Sequence, residues 1–174
     1  MYNLILATSF QGGIGYNNHI PWNIKNEMLY FKNITSYTKD KNKKNVVIMG
    51  RKTWESLLCK PLKNRINIII SNNYINMNNN VFVFNNIKYA LDYCKSLSYI
   101  ENIYVIGGES IYNKCLYSDE LSKELDKIYL SLIVGNYKCD KFIDIKYILK
   151  NFSIDIDDII FKNNFLSLIA YNKK

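Results

Sequence analysis

Apolar positions divide the chain into short, nearly continuous runs and longer runs with a helical period. The continuous runs are typical of strands buried on both faces. They lie at Tyr2–Ser9, Asn45–Gly50, Ile66–Ser71, Val81–Phe84, Asn102–Ile106 and Lys127–Val134. Helical periodicity occurs at Ile24–Tyr37, Ile87–Leu97 and Glu109–Tyr117, and a further helix begins within Arg51–Leu57. Because strands and helices alternate, the pattern predicts an α/β fold: a single domain over residues 1–174, with a mostly parallel eight-stranded sheet and about four flanking helices.

The end of the chain predicts an antiparallel element. Phe152–Ile160 and Asn164–Asn172 are expected strands, joined by Phe161, Lys162 and Asn163. Such a short connection suits a hairpin, so the C-terminal strand is predicted to be antiparallel. Asn72–Asn80 is rich in asparagine and is expected to form turns.

Glu27 interrupts the apolar face of the first predicted helix. On a helical wheel Glu27 lies between Ile24, Phe31 and Ile34, and Trp22 can cover the same area from one turn upstream. A carboxylate on an apolar face is costly unless it is paired, protonated or facing a ligand. The helix alone leaves two interpretations equally open: an ion pair with a buried cation, or a functional acid with a raised pKa.

Two strand-to-helix junctions are candidate anion sites. After Gly50 the chain carries Arg51, Lys52 and Thr53 into a helix, with Thr53 as the expected N-cap. The second junction is Gly107–Gly108, where a backbone without side chains can approach a phosphate. Each junction alone is also compatible with an ordinary helix start. Neither is the GxGxxG fingerprint, so a standard Rossmann domain is a poor fit.

The chain of 174 residues has a net charge of +8. Three interpretations remain: a solvated lysine-rich surface, a positive field for a small anionic ligand, and a nucleic-acid partner, ranked in that order. The lysines are dispersed apart from Lys39–Lys44, and no arginine–aromatic stripe is present. Nucleic acid is therefore not the expected partner.

Cysteine and histidine content excludes several classes of site. Cys59, Cys94, Cys115 and Cys139 have no CxxC spacing, which favours reduced thiols in the cytoplasm. His19 is the only histidine, so a histidine-based metal site or a Ser-His-Asp triad lacks residues, and no metal is expected. The sequence contains neither a membrane-length apolar stretch nor a basic signal-peptide start. A monomer is expected.

In order and spacing, seven stretches of the chain resemble dihydrofolate reductase. They are residues 4–15 (LILATSFQGGIG), 20–32 (IPWNIKNEMLYFK), 46–57 (VVIMGRKTWESL), 60–71 (KPLKNRINIIIS), 104–112 (YVIGGESIY), 128–133 (IYLSLI) and the closing hairpin. Glu27 falls where that family keeps its catalytic acid. The resemblance implies NADPH-dependent reduction of 7,8-dihydrofolate to tetrahydrofolate, with hydride added to C6 and a proton to N5.

The resemblance also implies a role for each matching residue on the substrate side. Glu27 would bind the pterin 2-amino and N3 groups, Trp22 would hold a water near the proton path, and Ser131 would hydrogen-bond the carboxylate. Arg65 would clamp the α-carboxylate of the glutamate tail. The remaining substrate contacts would be Ile5, Ala7, Met28, Phe31, Leu57, Leu62, Ile106 and Tyr112.

On the cofactor side the resemblance assigns the two glycine junctions to NADPH. Arg51, with Ser71 or Asn72 and Lys52, would recognise the 2′-phosphate. The other cofactor contacts would be Ala7, Ile14, Gly15, Ile20, Gly50, Thr53, Ile70, Ile106, Gly107, Gly108, Glu109, Ser110, Ile111 and Tyr112. The Gly107–Gly108 peptide is expected to be cis, and Gly12–Ile20 is expected to be a mobile loop that closes over the nicotinamide.

Some residues depart from the family pattern. Glu109 should point away from a pyrophosphate, and Lys63–Asn64 replaces a Pro-Gly-like turn. Asp140 is expected to hydrogen-bond the mobile loop. Two other functions stay open. One is a reductase of the same fold for another pterin-like or aminopyrimidine substrate, which would not need Arg65. The other is a basic binding protein, for example for nucleic acid, that has lost catalysis.

Overall fold

A mixed, mostly parallel sheet forms the centre of the computed structural model, which describes residues 1–73, 81–162 and 164–173. The strands are β1 (Tyr2–Ser9), β2 (Gly13–Gly15), β3 (Lys44–Gly50), β4 (Arg65–Ile70), β5 (Val81–Phe84), β6 (Ile100–Val105), β7 (Leu125–Ile133), β8 (Lys141–Phe142), β9 (Phe152–Ile154), β10 (Ile160–Lys162) and β11 (Phe165–Asn172). The helices are α1 (Lys25–Ser36), α2 (Arg51–Ser56), α3 (Ile87–Lys95), α4 (Glu109–Tyr117), α5 (Asp119–Glu124) and α6 (Ile145–Asn151).

Eight strands follow the order β10-β11-β7-β1-β6-β3-β4-β5. All neighbours from β7 to β5 are parallel, whereas β11 is antiparallel to β7, β9 and β10. The predicted α/β class, the mostly parallel sheet and the antiparallel C-terminal strand are therefore confirmed. The part of the chain that the structure describes contains two helices beyond the four expected, α5 and α6.

Successive side chains of β3 point to opposite faces of the sheet, and helices cover both faces. Val46 and Ile48 belong to the apolar cluster under α3 and α4, whereas Val47 and Met49 belong to the cluster under α1 and α2. All four side chains are fully buried. A central parallel strand must be apolar on both sides, which is the pattern that made β3 recognisable in the sequence.

Two local expectations were wrong. The strand expected over Phe152–Ile160 is broken into β9, a 3₁₀ turn at Ile156–Asp158 and the start of β10. The Asp155 carboxylate accepts a hydrogen bond from Asp157 N at 3.1 Å, and such Asx capping competes with a continuous strand. Thr53 is not an N-cap, because α2 begins at Arg51 with Gly50 in the cap position.

The glycine-rich segment after β1 is more regular than expected. β2 pairs with β8 as a separate two-stranded sheet. Gly12 has a φ of +89°, and a Cβ there would lie 2.3 Å from Ile143 O, so this position requires glycine. The predicted joining residues Phe161 and Lys162 belong to β10. Asn163, and the predicted turn Asn72–Asn80 from residue 74 onward, lie outside the described residues.

None of the helices formed by the described residues combines the length and apolarity needed to cross a bilayer.

Candidate active site

A cavity of about 480 Å³ opens between the β2 segment and the N-terminal ends of α2 and α4. Most residues predicted for the cofactor line it: Ala7, Ile14, Gly15, Ile20, Gly50, Arg51, Lys52, Thr53, Ile70, Ile106, Gly108, Glu109, Ser110, Ile111 and Tyr112. Trp22 and Leu57 line it as well. The lining, which is drawn from the described residues, does not include Ser71, Asn72 or Gly107. The structure therefore brings residues of both junctions together at one cavity.

The two glycine junctions meet directly. Gly50 N donates a 2.7 Å hydrogen bond to Gly107 O, and the Gly107–Gly108 peptide is cis, as expected. A Cβ on Gly108 would lie 3.2 Å from Thr53 Oγ1, and one on Gly50 would lie 3.3 Å from Ile111 Cγ1. Larger residues would crowd this cradle, so glycine keeps the backbone of both junctions open to a ligand.

Tyr112 anchors the second junction to β1. Its buried hydroxyl donates a 2.8 Å hydrogen bond to Ile5 O, and burial raises the pKa of the phenol. Gly107 has a φ of +102°, and a Cβ there would lie 2.7 Å from the Tyr112 ring. The ring thus fills the space beneath the cis peptide.

Arg51, one of the two cations at the first junction, has an acidic partner on its own helix. Arg51 forms an ion pair with Glu55, with 2.6 Å between Nη1 and Oε1, one helical turn away. This pair is exposed, so it holds the guanidinium only weakly. Glu109, at the second junction, accepts a 2.8 Å hydrogen bond from Phe142 N, so its carboxylate points to β8. This agrees with the expectation that it points away from a pyrophosphate.

The predicted mobile loop Gly12–Ile20 contains a tight turn at Tyr16–His19. Tyr16 and His19 exchange two 2.9 Å backbone hydrogen bonds, and Asn17 and Asn18 both have positive φ, as in a type I′ turn. Asp140 Oδ2 accepts a 3.2 Å hydrogen bond from Asn17 N, and Asp140 N donates to Gly15 O at 2.9 Å. The expected contact between Asp140 and this loop is present.

Glu27 lies on the buried face of α1 with only 9% of its surface exposed. Burial raises the pKa of the Glu27 carboxyl to about 7, and a hydrogen bond from the Ser131 hydroxyl partly opposes this. Among the described residues it forms no ion pair with a cation. Of the two interpretations left open by the helix, the ion pair is therefore excluded within the described chain. The other interpretation, an acid whose pKa is raised to near neutral pH, fits the buried Glu27 carboxyl.

Trp22 packs beside α1, the helix that carries Glu27. The ring is buried against Ile24, Ile133 and Phe165 and makes an edge-on contact with Tyr137 at 5.3 Å between centroids. Its Nε1 has no hydrogen-bond partner within the described part of the chain. A buried N–H donor at the wall of a cavity is suited to a polar ligand atom.

The predicted apolar walls form one cluster beside the cavity: Ile5, Phe31, Leu57, Leu62 and Ile106. Leu58 is 96% exposed, so Leu57 rather than its neighbour faces inward. Met28 is 56% exposed, and its predicted contact with substrate stays a prediction. Ala7 packs in the adjacent cluster with Trp22.

Arg65 begins β4 and is 7% exposed. Its Nη1 donates to Thr35 Oγ1 at 2.7 Å, its Nε donates to Lys63 O at 3.0 Å, and the guanidinium lies 5.9 Å from the centre of the Phe31 ring. Burial lowers the pKa of the guanidinium. Within the described chain it has no carboxylate partner, so the cation is held in place and remains available to an anion.

The turn before β4 forms without a Pro-Gly-like pair, because Asn64 adopts a backbone conformation that glycine usually supplies. Its φ is +61°, a conformation that asparagine tolerates better than most residues, so it takes the place expected of glycine.

Sequence reasoning missed several site residues. Asn18, His19, Ser56 and Lys141 line the cavity, and Thr35 fixes Arg65. Thr35 lies on the same side of α1 as Phe31, to whose carbonyl its hydroxyl donates at 2.7 Å, so helical spacing could have indicated it. Lys141 reaches the cavity only because β8 pairs with β2, and no local pattern indicates that pairing.

The raised pKa of Glu27 predicts a pH-dependent cost to stability. Its folded pKa of about 7 lies above the ordinary 4.5, so this group favours the fold fully below pH 4.5, and the contribution is lost as pH rises through 7. Relative to wild type, Glu27→Gln should gain up to roughly 3 kcal/mol of unfolding free energy between about pH 5 and about pH 8. Denaturant unfolding of both proteins at the two pH values measures this difference. If the difference in unfolding free energy between the two proteins is the same at both pH values, the Glu27 carboxyl has an ordinary pKa in the folded protein.

Comparison with known proteins identifies the family. A family model described as dihydrofolate reductase matches residues 1–157. The chain is 38% identical over 146 residues to the dihydrofolate reductase of Heliothis virescens, covering 80% of this chain and 77% of that one. It is 36% identical over 162 residues to that of Pneumocystis carinii, covering 86% and 77%. It is also 36% identical over 154 residues to the bifunctional dihydrofolate reductase-thymidylate synthase of Paramecium tetraurelia, covering 88% of this chain but 30% of that longer protein. The chain belongs to the dihydrofolate reductase family.

Proposed function

We propose that this chain catalyses the NADPH-dependent reduction of 7,8-dihydrofolate to 5,6,7,8-tetrahydrofolate, and that Glu27 is its catalytic acid. The observation that carries this assignment is a single carboxyl, buried without a cation among the described residues, whose pKa is raised to about 7. The reaction consumes one NADPH, one dihydrofolate and one proton, and yields NADP⁺ and tetrahydrofolate. Tetrahydrofolate produced in this way supports one-carbon metabolism.

The residues of the cavity fit the cofactor. The Gly50 and Gly107–Gly108 cradle, which side chains would crowd, accommodates phosphate groups, and Arg51 and Lys52 lie at its rim for the 2′-phosphate. The cofactor, when bound, supplies the hydride. Ala7, Ile14 and Ile20 would form an apolar surface for the nicotinamide and keep water from it.

Glu27 is proposed to bind the pterin 2-amino and N3 groups and to raise the basicity of N5. A carboxyl with a pKa near 7 can hold or release a proton at neutral pH, which is what general acid–base catalysis needs. The Ser131 hydroxyl on β7 favours the ionised form of this carboxyl and so limits the rise of its pKa. The unpaired Trp22 N–H is proposed to hold the water through which the proton reaches N5.

Arg65 is proposed to bind the α-carboxylate of the glutamate tail. A buried guanidinium already held by Thr35 and Lys63 loses little side-chain freedom when it binds an anion. The proposed order of the substrate along the site is therefore pterin at Glu27, benzoyl ring on the apolar walls, and tail at Arg65.

We also propose that residues 1–174 act as a monomeric single domain in the cytoplasm. Cys59, Cys94, Cys115 and Cys139 are free thiols, as expected in a reducing compartment. The dispersed surface charge is interpreted as solvation rather than as a nucleic-acid site.

The first test is consumption of NADPH by the purified chain. Loss of NADPH absorbance should begin on addition of dihydrofolate and be slower with NADH at the same concentration, because NADH lacks the 2′-phosphate that Arg51 and Lys52 would bind. Tight NADPH binding without consumption on addition of dihydrofolate would contradict the proposed substrate.

A further inference from the structure

Lys141 on β8 adds a third cation to the two at the first junction. Among the described residues, the lining of the cavity contains three lysine or arginine side chains, those of Arg51, Lys52 and Lys141. Within the same part of the chain it contains one carboxylate, that of Glu109, which already accepts a hydrogen bond from Phe142 N. The cavity therefore has a surplus of positive charge, which favours a ligand with more than one negative charge.

The side chain of Lys141 belongs to the wall of the cavity that β2 and β8 form. Lys141 is the register partner of Gly15 in the two-stranded sheet. Its Cβ and Cγ lie 3.8 Å and 3.9 Å from the position that a Cβ on Gly15 would occupy. The aliphatic part of the lysine thus lies across Gly15, on the wall that faces the N-terminal ends of α2 and α4.

The Lys141 ammonium is only weakly engaged by the protein. Nζ donates to the Asp140 carbonyl oxygen at 3.1 Å and lies 3.8 Å from Asp140 Oδ1. The two side chains are 42% and 38% exposed, so solvent screens this ion pair. The second carboxylate oxygen of Asp140 accepts a hydrogen bond from Asn17 N. Because an ammonium group has three protons to donate, Lys141 can bind a further anionic oxygen.

A hydrogen bond between β8 and α4 places Lys141 beside the second glycine junction. Glu109, the first residue of α4, accepts it from Phe142 N, and Phe142 directly follows Lys141. Glu109 in turn directly follows Gly108, where a Cβ would crowd Thr53 Oγ1. The cation on β8 and the glycine backbone of this junction therefore border the same cavity.

We propose that Lys141 binds the pyrophosphate of the dinucleotide cofactor. Arg51 and Lys52 are assigned to the 2′-phosphate, and the glycine cradle offers the pyrophosphate backbone groups without a cation. Lys141 supplies that cation from β8. This inference rests on the proposed use of NADPH. Because NADPH and NADH share the pyrophosphate, Lys141 strengthens the binding of both, whereas Arg51 and Lys52 strengthen the binding of NADPH.

The test is fluorescence titration of NADPH and NADH against wild type, Lys141→Gln and Arg51→Gln, with no substrate present. Lys141→Gln should weaken the binding of both cofactors by the same factor, roughly five- to tenfold, between the values for an exposed ion pair and for a hydrogen bond to a charged group. The ratio of the two affinities should stay at its wild-type value. Arg51→Gln should weaken NADPH more than NADH and so change that ratio.

Three further variants separate the charge of Lys141 from its packing. Lys141→Arg keeps the cation and should bind both cofactors nearly as tightly as wild type. Lys141→Met keeps an aliphatic stem over Gly15 and should behave like Lys141→Gln, which it replaces if the glutamine variant does not fold. Lys146→Gln removes the same charge from an exposed position on α6, outside the lining of the cavity, and should leave both affinities unchanged.

Unchanged affinity for both cofactors in Lys141→Gln would overturn the inference. Loss of NADPH affinity alone would overturn it too, because Lys141 would then bind the 2′-phosphate. An equal loss in Lys146→Gln would assign the effect to the overall positive field of the protein instead. If wild type binds neither cofactor, the proposed use of NADPH fails, and the inference fails with it. If wild type binds NADPH but does not reduce dihydrofolate, only the proposed reaction fails, and these titrations still decide the role of Lys141.

Discussion

Turnover of the Glu27→Gln variant at neutral pH is expected to fall by roughly two orders of magnitude or more. Glutamine keeps the shape of the side chain but has no proton to exchange, so the pterin loses the group that raises the basicity of N5. Activity should return in part in acid, where dihydrofolate arrives already protonated. Steady-state rates across pH, with NADPH and dihydrofolate saturating, measure both effects.

NADPH binding provides the internal control for this variant. The carboxyl lies on α1 rather than in the glycine cradle, so cofactor affinity should be close to that of wild type. Glu27→Asp retains an acid on a shorter side chain and should keep more activity than the glutamine variant. Normal turnover of Glu27→Gln at neutral pH would mean that another group controls protonation.

Arg65→Leu is expected to weaken dihydrofolate binding by roughly 10- to 150-fold, the range for losing a hydrogen-bonded charged contact. NADPH affinity should be unchanged, because Arg65 packs against Phe31 and Thr35 rather than in the cofactor cavity. Fluorescence titration of each ligand against wild type and variant measures the two affinities separately.

Lys63→Leu is the matched control for charge. Lys63 lies two residues away and is exposed, so removing its cation should alter dihydrofolate binding little. Equal losses of dihydrofolate and NADPH binding in Arg65→Leu would assign Arg65 to the fold, through its hydrogen bonds to Thr35 and the Lys63 carbonyl.

The interior of the fold was predictable from sequence because its central strands are apolar on both faces. The central strand β1 has the predicted bounds, and so do the edge strand β5 and the helix α4. Prediction failed where polar side chains cap the backbone locally. Asp155 breaks the expected strand before β10, and the Ser118 and Asp144 side chains accept hydrogen bonds from the first turns of the unexpected helices α5 and α6.

The site was predictable where one residue violates the pattern around it. Glu27 breaks an apolar helical face, and the structure buries it without a cation among the described residues. Site residues without a local signal were harder to find, because pairing between distant segments brings them to the site. Lys141, for example, reaches the cavity only because β8 pairs with β2. Local spacing carries no information about such pairing.

The close approach of β2 to the segment before β8 restricts how this protein can evolve. A Cβ on Gly13 would lie 2.4 Å from Cys139 Sγ and 2.7 Å from Cys139 Cβ, so both atoms of that side chain stand in its way. Alanine at position 13 therefore requires either a shift of Cys139 or a smaller residue at position 139, and its Cβ would still lie 3.1 Å from Ser9 Oγ. The residue tolerated at position 13 thus depends on the residue at position 139, which is a form of epistasis.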